Sequence, residues 1–296
     1  MSNLVLLGAG ASYGSGDVYP YPPPLGNKLF ERLEELGKSA SRVPDAIKSK
    51  FKVNFEQGML EYFEWAHRYT MDFQRELAAY LAQFSPGNKN NYQSLIRVFD
   101  NRQTVFCSLN YDLLFELSAQ KLKFGTHYSN KPKPQHVRLL KIHGSSNFWP
   151  HLPSVQFKNV KSWGSSEAEF VAPIKPLTQQ QTLSKAMTED SMAPAIAMYA
   201  EGKKVRVSPG YIEEQQRMWR ESLDHSSKLF IIGVKVHEAD AHIWDLIAKS
   251  KSYIYYFGLK DDKPSFDAWK KRHNQFKSKF INANFSQAIE KIRLII

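Results

Sequence analysis

The chain has 296 residues, of which 42% are hydrophobic and 23% are charged. This composition excludes a disordered or collagen-like chain, and the single cysteine, Cys107, excludes an internal disulfide and a four-cysteine zinc site. Lys and Arg number 40 against 29 Asp and Glu, so the net charge is +11, an excess that attracts polyanions.

The basic residues are spread along the chain, with short runs at 202–206 and 269–273. Neither run alternates with aromatic residues as a single-strand-binding surface does, which favours a solvated basic face. Direct contact with nucleic acid stays open. No apolar run reaches the ~18 residues that a spanning helix needs, and the first residues lack the pattern of a signal peptide. We therefore expect a cytoplasmic protein with no membrane partner.

Short apolar runs alternate with helical patterns along the chain. Residues 3–7 predict a buried strand, and helical spacing follows over 29–36 and over 59–84, where Pro86 and Gly87 are expected to end the second helix. Further strands are predicted at 104–109, 138–142, 228–233, 252–257 and 280–281. Further helices are predicted at 113–122, around 243–247 and from 286.

This alternation predicts an α/β fold, a parallel sheet with helices on both faces, in one domain over 1–296. Two insertions are expected: a helical one over about 38–100, and a mostly irregular one over about 150–215 that serves as a lid or an interface. Because ligands bind at the carboxyl ends of strands in such sheets, the residues after each strand are the site candidates.

A glycine loop follows the first strand and comprises Gly8, Ala9, Gly10, Ala11 and Ser12. Glycines there let backbone N–H groups approach a phosphate. The next glycine is one residue late for the G-x-G-x-x-G pattern, which argues against an ordinary NAD-dependent dehydrogenase. A glycine turn that binds no ligand is the alternative.

Polar residues also follow the strand at 104–109. Asn110 can orient a water or a sugar hydroxyl, with Ser108 beside it. Asp112 can contact a polar ligand or cap the next helix, and both interpretations stay open.

The strand at 138–142 ends at His143, Gly144 and Ser145, where an imidazole suits a general base. The strand at 228–233 ends at Gly233, and Asp240 opens the next helix, where capping is the alternative role. Without an H-E-x-x-H motif or a cysteine cluster, no metal site is expected.

Four motifs, in this order, resemble the sirtuin-like superfamily: GAGAS at 8–12, SLNYD at 108–112, KIHGS at 141–145 and IIG…D.H at 231–242. The resemblance implies a Rossmann-like sheet that binds NAD. By that resemblance residues 8–12 hold the pyrophosphate, Asn110 and Asp112 lie near the nicotinamide ribose, His143 is the base and Gly233 lies near the adenosine.

The chain lacks the four cysteines of protein-deacylating sirtuins and is more similar to the zinc-less bacterial sirtuin-like domains of anti-phage defence systems. That resemblance implies hydrolysis of NAD to nicotinamide and ADP-ribose, which depletes cellular NAD. It also implies a homo-oligomer and a partner protein such as a DNA-translocating ATPase or an Argonaute-like protein. The alternatives are a non-catalytic sensor of NAD or ADP-ribose and a nucleic-acid-binding scaffold.

Overall fold

The computed structural model describes residues 2–53, 55–66, 70–99, 103–152, 171–197, 207–237 and 240–296. Its first elements are β1 (Ser2–Leu7), α1 (Ala9–Tyr13), β2 (Gly16–Tyr19), α2 (Gly26–Glu35), α3 (Asp45–Val53), α4 (Phe55–Trp65), α5 (Met71–Ala82), β3 (Ser85–Asn90) and α6 (Asn91–Val98). They are followed by β4 (Thr104–Ser108), α7 (Leu114–Lys121), β5 (Gly125–His127), β6 (His136–Lys141), β7 (Phe148–Pro150), β8 (Ile174–Pro176), α8 (Gln179–Thr188), α9 (Pro209–His225), β9 (Ser226–Ile232), α10 (Ala241–Lys249), β10 (Tyr253–Gly258), α11 (Lys263–Arg272), β11 (Ser278–Asn282) and α12 (Phe285–Ile295).

Seven of these strands form one parallel sheet in the order β11-β10-β9-β1-β4-β6-β5. Strand β1 lies at its centre, where Leu7 is level with Ser108 of β4 and with Ile232 of β9. The predicted fold class, a Rossmann-like parallel sheet with helices on both faces, is confirmed.

Side chains alternate between the two faces of the sheet, as the pleat requires. Val5 and Leu7 pack into a core with residues of α2, α5, α6 and α12, whereas Leu4 and Leu6 pack into a second core with residues of α9, α10 and α11. The central strands β1 and β4 are therefore buried on both sides, which explains the apolar residues that dominate their sequences.

The helical insertion over 38–100 contributes an aromatic cluster to the first core. The rings of Phe30 and Phe51 stack with centroids 3.8 Å apart, and Phe73 lies next to Phe30 at 6.4 Å. The single helix predicted over 59–84 is wrong: α4 ends at Trp65 and α5 begins at Met71, after Thr70 with its non-helical ψ of 4°. Apolar spacing continues in both helices, so periodicity alone did not reveal the break.

Pro86 and Gly87 do not end a helix, as the sequence predicted, but lie in β3, which pairs antiparallel with β2. The sequence also missed helix α9, whose Met218, Trp219 and Leu223 cover the second face of the sheet. Its beginning lies inside the region predicted to be irregular.

The described parts of the 150–215 insertion contain the antiparallel pair β7–β8 and helix α8, which begins with a capping box between Thr178 and Gln181. Residues 153–170 and 198–206, and with them the basic run at 202–206, lie outside the described residues. The role of the 150–215 insertion as a lid or an interface stays a prediction. In the described ranges, no helix combines the length and the apolar character needed to cross a bilayer.

Candidate active site

The candidate site lies at the carboxyl edge of four neighbouring strands, in the order β9-β1-β4-β6. From β1 the chain continues to β4 on one side, and β9 later joins on the other side. Such a reversal of strand order opens a crevice between the loops, and ligands of α/β sheets bind there. The predicted site residues lie at the ends of these four strands or in the segments that follow them, and Ser108 is the last residue of β4. The prediction of a loop over 8–12 is wrong in part, because Ala9 to Ser12 belong to the short helix α1, with Gly8 at its N-cap position.

The loops after β1 and β9 contact each other backbone to backbone. The N–H of Gly8 donates to the Ile232 carbonyl at 3.0 Å, and the N–H of Gly10 donates to the Gly233 carbonyl at 2.9 Å. A Cβ on Gly8 would lie 2.4 Å from the Gly233 oxygen, and a Cβ on Gly233 would lie 2.1 Å from the nitrogen of Ala11. Packing between the two loops therefore requires these glycines whether or not a ligand binds.

The glycine loop at 8–12 uses part of its donor capacity within the protein. The N–H of Ala11 donates to the Gly8 carbonyl at 2.9 Å, so the N–H groups of Gly8, Gly10 and Ala11 are all donated to protein carbonyls. Ala9 is exposed at the loop. A ligand phosphate can therefore approach at Ala9, but Gly10 can donate to it only after exchanging its bond to Gly233.

Asn110 joins the loop after β4 to the glycine loop. Its Nδ2 donates to the Gly8 carbonyl and to the Ser12 hydroxyl, each at 2.9 Å, and its backbone N–H donates to Ser108 Oγ at 3.1 Å. Both amide hydrogens thus have acceptors in the protein. The Asn110 Oδ1 is the atom of this side chain that can orient a water or a sugar hydroxyl.

The carboxylate of Asp112 is used by the fold at both oxygens. Oδ2 accepts from the Ser12 hydroxyl at 2.7 Å, and Oδ1 accepts from the backbone N–H of Leu114 at 3.0 Å, at the start of α7. The geometry therefore favours the capping interpretation of Asp112, combined with positioning of Ser12.

Tyr92, on α6, is a site residue that the sequence did not indicate. Its hydroxyl lies 2.8 Å from Ser12 Oγ, and burial raises the pKa of Tyr92 well above its usual value, so the phenol stays neutral. No strand-end motif contains this residue, because it reaches the site from a helix that packs across the sheet.

Lys141 and Glu116 form a buried ion pair behind these loops. Lys141 Nζ lies 3.2 Å from Glu116 Oε1 and donates to the Asp112 carbonyl at 2.7 Å. Burial raises the pKa of the Glu116 carboxyl, and the positive charge of Lys141 opposes that rise. The pair ties the end of β6 to the loop after β4.

His143 lies in a cluster with two residues from the loop after β9 and the start of α10. Its Nε2 is 3.2 Å from Nε2 of His242 and 3.8 Å from Oδ1 of Asp240. The imidazole is buried, and Asp240 is at the N-cap position of α10. The sequence predicted His143 and Asp240 from separate motifs, and the fold brings them together.

Gly144 and Ser145 are covered by a short segment of the 150–215 insertion. The N–H of Ser145 donates to the Ala195 carbonyl at 3.2 Å, and the N–H of Ala197 donates to the His143 carbonyl at 2.8 Å. Gly144 has φ of +84°, and a Cβ there would lie 2.1 Å from the Ala195 oxygen. Their predicted contact with a cofactor stays a prediction.

No family model matches this chain, and no curated protein matches it. Among solved structures, the chain is similar to a Sir2 homologue in complex with NAD, with 15% identity over 99% of this chain and 88% of that chain and a TM-score of 0.45. It is also similar to a histidine-to-asparagine mutant of a Sir2 homologue in complex with ADP-ribose, with 11% identity over 99% and 91% of the two chains and a TM-score of 0.44. Both likenesses are distant.

Proposed function

We propose that the protein is an NAD hydrolase that cleaves the bond between nicotinamide and ribose. The observation that carries this proposal is that the loops after four adjacent parallel strands bring two glycine turns, an amide and an imidazole to one edge of the sheet. The order of the four motifs in the sequence, which resembles that of zinc-less sirtuin-like domains, supports the same substrate.

The glycine loops suit the dinucleotide part of NAD. The main chain is accessible at Ala9, so a pyrophosphate can contact backbone there, beside the point where Gly233 packs against the same loop. In this arrangement the adenosine extends toward Gly233 and the nicotinamide ribose toward Asn110.

The reaction needs one oriented water and one base. The C1′–N bond breaks, its electron pair leaves with the nicotinamide, and the oxygen of a water forms the new bond to C1′. Asn110 Oδ1 orients that water and His143 takes its proton, so the products are nicotinamide, ADP-ribose and one proton. The carboxylate of Asp240, 3.8 Å from His143 Nε2, neutralises the charge that the imidazole gains.

The decisive experiment measures nicotinamide and ADP-ribose released from NAD by the purified full chain. We expect release by the wild type and a loss of at least about a hundredfold in His143→Ala and in Asn110→Ala, the scale of a lost acid–base group. His225→Ala is the matched control, because His225 is exposed at the amino end of β9, at the opposite edge of the sheet. Full cleavage by both site variants would refute the assignment.

Two other functions give different results in the same experiment. Tight NAD binding without nicotinamide release would indicate the non-catalytic sensor. Neither binding nor release, together with a steep salt dependence of nucleic-acid affinity, would indicate the scaffold.

We further propose that this activity depletes NAD in anti-phage defence, in a homo-oligomer that a partner protein activates. The motif resemblance supports this role. Light scattering on the purified protein tests the oligomer, and NAD cleavage after addition of a lysate from phage-infected cells tests the activation. A monomer that cleaves NAD equally fast with lysates from infected and from uninfected cells would contradict the role.

A further inference from the structure

We propose that His143, Asp240 and His242 form a binding site for a first-row divalent metal ion, with Zn²⁺ as the best fit. Two imidazole nitrogens and one carboxylate oxygen from these residues all lie within 4.8 Å of one another. The sequence predicted no metal site, because the ligands come from two segments almost a hundred residues apart and match no short motif.

The distances between the ligand atoms are close to those of a zinc centre. With Zn–N bonds of about 2.0–2.1 Å and tetrahedral angles, neighbouring ligand atoms lie about 3.3 Å apart. His143 Nε2 and His242 Nε2 are 3.2 Å apart, and His143 Nε2 and Asp240 Oδ1 are 3.8 Å apart. A metal therefore fits between the two imidazoles, and the Asp240 carboxylate, whose oxygen lies within 4.8 Å of both ring nitrogens, reaches it by rotation of its side chain.

The chemistry of the three ligands selects the class of metal. Imidazole suits Zn²⁺ and its first-row neighbours, whereas Mg²⁺ and Ca²⁺ prefer sites made of oxygen alone. Two neutral imidazoles and one carboxylate leave a net positive charge on a bound divalent ion. Three protein ligands also leave a fourth position open, as in zinc sites that bind a water or a substrate.

The fold holds the ligands on two separate supports. His143 is 2% exposed and follows β6, while Asp240 and His242 lie at the start of α10. The indole of Trp244 in that helix donates to the Lys235 carbonyl at 3.1 Å, which ties α10 to the segment that follows β9. A metal here would link the loops after β6 and β9 across the ends of β1 and β4.

The inference concerns binding of a metal and not cleavage of NAD, so it does not rest on the proposed function. A metal on His143 Nε2 takes the lone pair of that nitrogen, so His143 acts as a base through Nε2 only in the metal-free protein. A hydrogen bond between the two imidazoles is the competing explanation for the 3.2 Å contact. A metal requires both Nε2 atoms to be unprotonated, whereas the hydrogen bond requires a proton on one of them. Direct metal binding therefore distinguishes the two.

The test titrates Zn²⁺ into the metal-stripped full chain in competition with a chromophoric chelator, and records the visible spectrum after addition of Co²⁺. We expect one ion per chain and the visible bands of nitrogen- and oxygen-bound Co²⁺. In His242→Ala and in Asp240→Asn the Zn²⁺ affinity should fall at least tenfold, with the melting temperature reported to show that both variants fold.

His225→Ala is the control and should bind Zn²⁺ like the wild type. The proposal is overturned if the wild type binds no stoichiometric ion, or if folded His242→Ala and Asp240→Asn bind it as tightly as the wild type. NAD cleavage is assayed separately on the metal-free protein, so its absence there beside intact metal binding would refute the hydrolase and leave the metal site standing.

Discussion

The backbone N–H of Gly10 donates to the carbonyl of Gly233 at 2.9 Å, which joins the loops after two adjacent parallel strands. Neither glycine has room for a side chain at this contact. Packing against Gly233 therefore determines the conformation of the glycine loop. A ligand that accepts from the Gly10 N–H has to displace the Gly233 carbonyl.

Gly233→Ala tests how tightly the two loops are packed. Gly233 has φ of +66°, and Gly37 has nearly the same φ of +67° with nothing within 4 Å of an added Cβ, so Gly37→Ala is a matched control for strain alone. We expect Gly37→Ala to cost about 1 kcal/mol and Gly233→Ala about 1–3 kcal/mol more. Denaturant unfolding measures both, and equal losses would show that the loops are not in close contact.

Lys141 and Glu116 are predicted to depend on each other. Lys141→Met leaves the Glu116 carboxylate buried without its cation, so we expect a loss of about 3 kcal/mol in the free energy of unfolding. Adding Glu116→Gln removes the orphaned charge, so the double variant should be more stable than Lys141→Met. A double-mutant cycle in urea gives the coupling, and strictly additive losses would contradict it.

The pH dependence of stability should report Glu116. Burial raises the pKa of this carboxyl above its ordinary value of 4.5, so the folded chain binds the proton more tightly than the unfolded chain. The wild type therefore loses stability relative to Glu116→Gln as the pH rises from 4.5 through the raised pKa. Unfolding curves of both proteins across this range measure the difference, which a pH-independent offset would refute.

Cys107 is predicted to be unreactive in the folded protein. It is fully buried in β4, and burial raises the pKa of its thiol well above the usual value. We expect a thiol reagent to label the folded chain at least about a thousandfold more slowly than the urea-unfolded chain, because labelling requires global opening. Comparable labelling rates would show that β4 opens locally.

The sequence predicted six of the seven strands of the sheet, all but β5, and the edge at which polar residues gather. The central strands are rich in apolar residues, as in a parallel sheet buried on both faces, and glycine, asparagine or histidine follows within two residues of the ends of β1, β4, β6 and β9. The break between α4 and α5 and the whole of α9 could not be predicted in the same way. An apolar stripe continues across the break, and α9 is too polar on its outer face to stand out.

Local sequence patterns do not predict contacts between distant segments of the chain. Tyr92 meets Ser12 only because α6 packs next to the glycine loop, and no local pattern encodes that contact. His143 was predicted from the end of one strand and Asp240 from the start of the helix after another, but their 3.8 Å approach depends on the order of the strands. The functional roles of these residues stay predictions.

The central position of β1 has a consequence for synthesis of the chain. This first strand pairs with β4, which begins at Thr104, and with β9, which begins at Ser226. During translation one edge of β1 therefore has no partner until most of the chain has left the ribosome, and long-range pairing of this kind is slow and prone to aggregation. Production of this protein should benefit from slow expression or added chaperones, because the central strand of the sheet gains its second neighbour only late in translation.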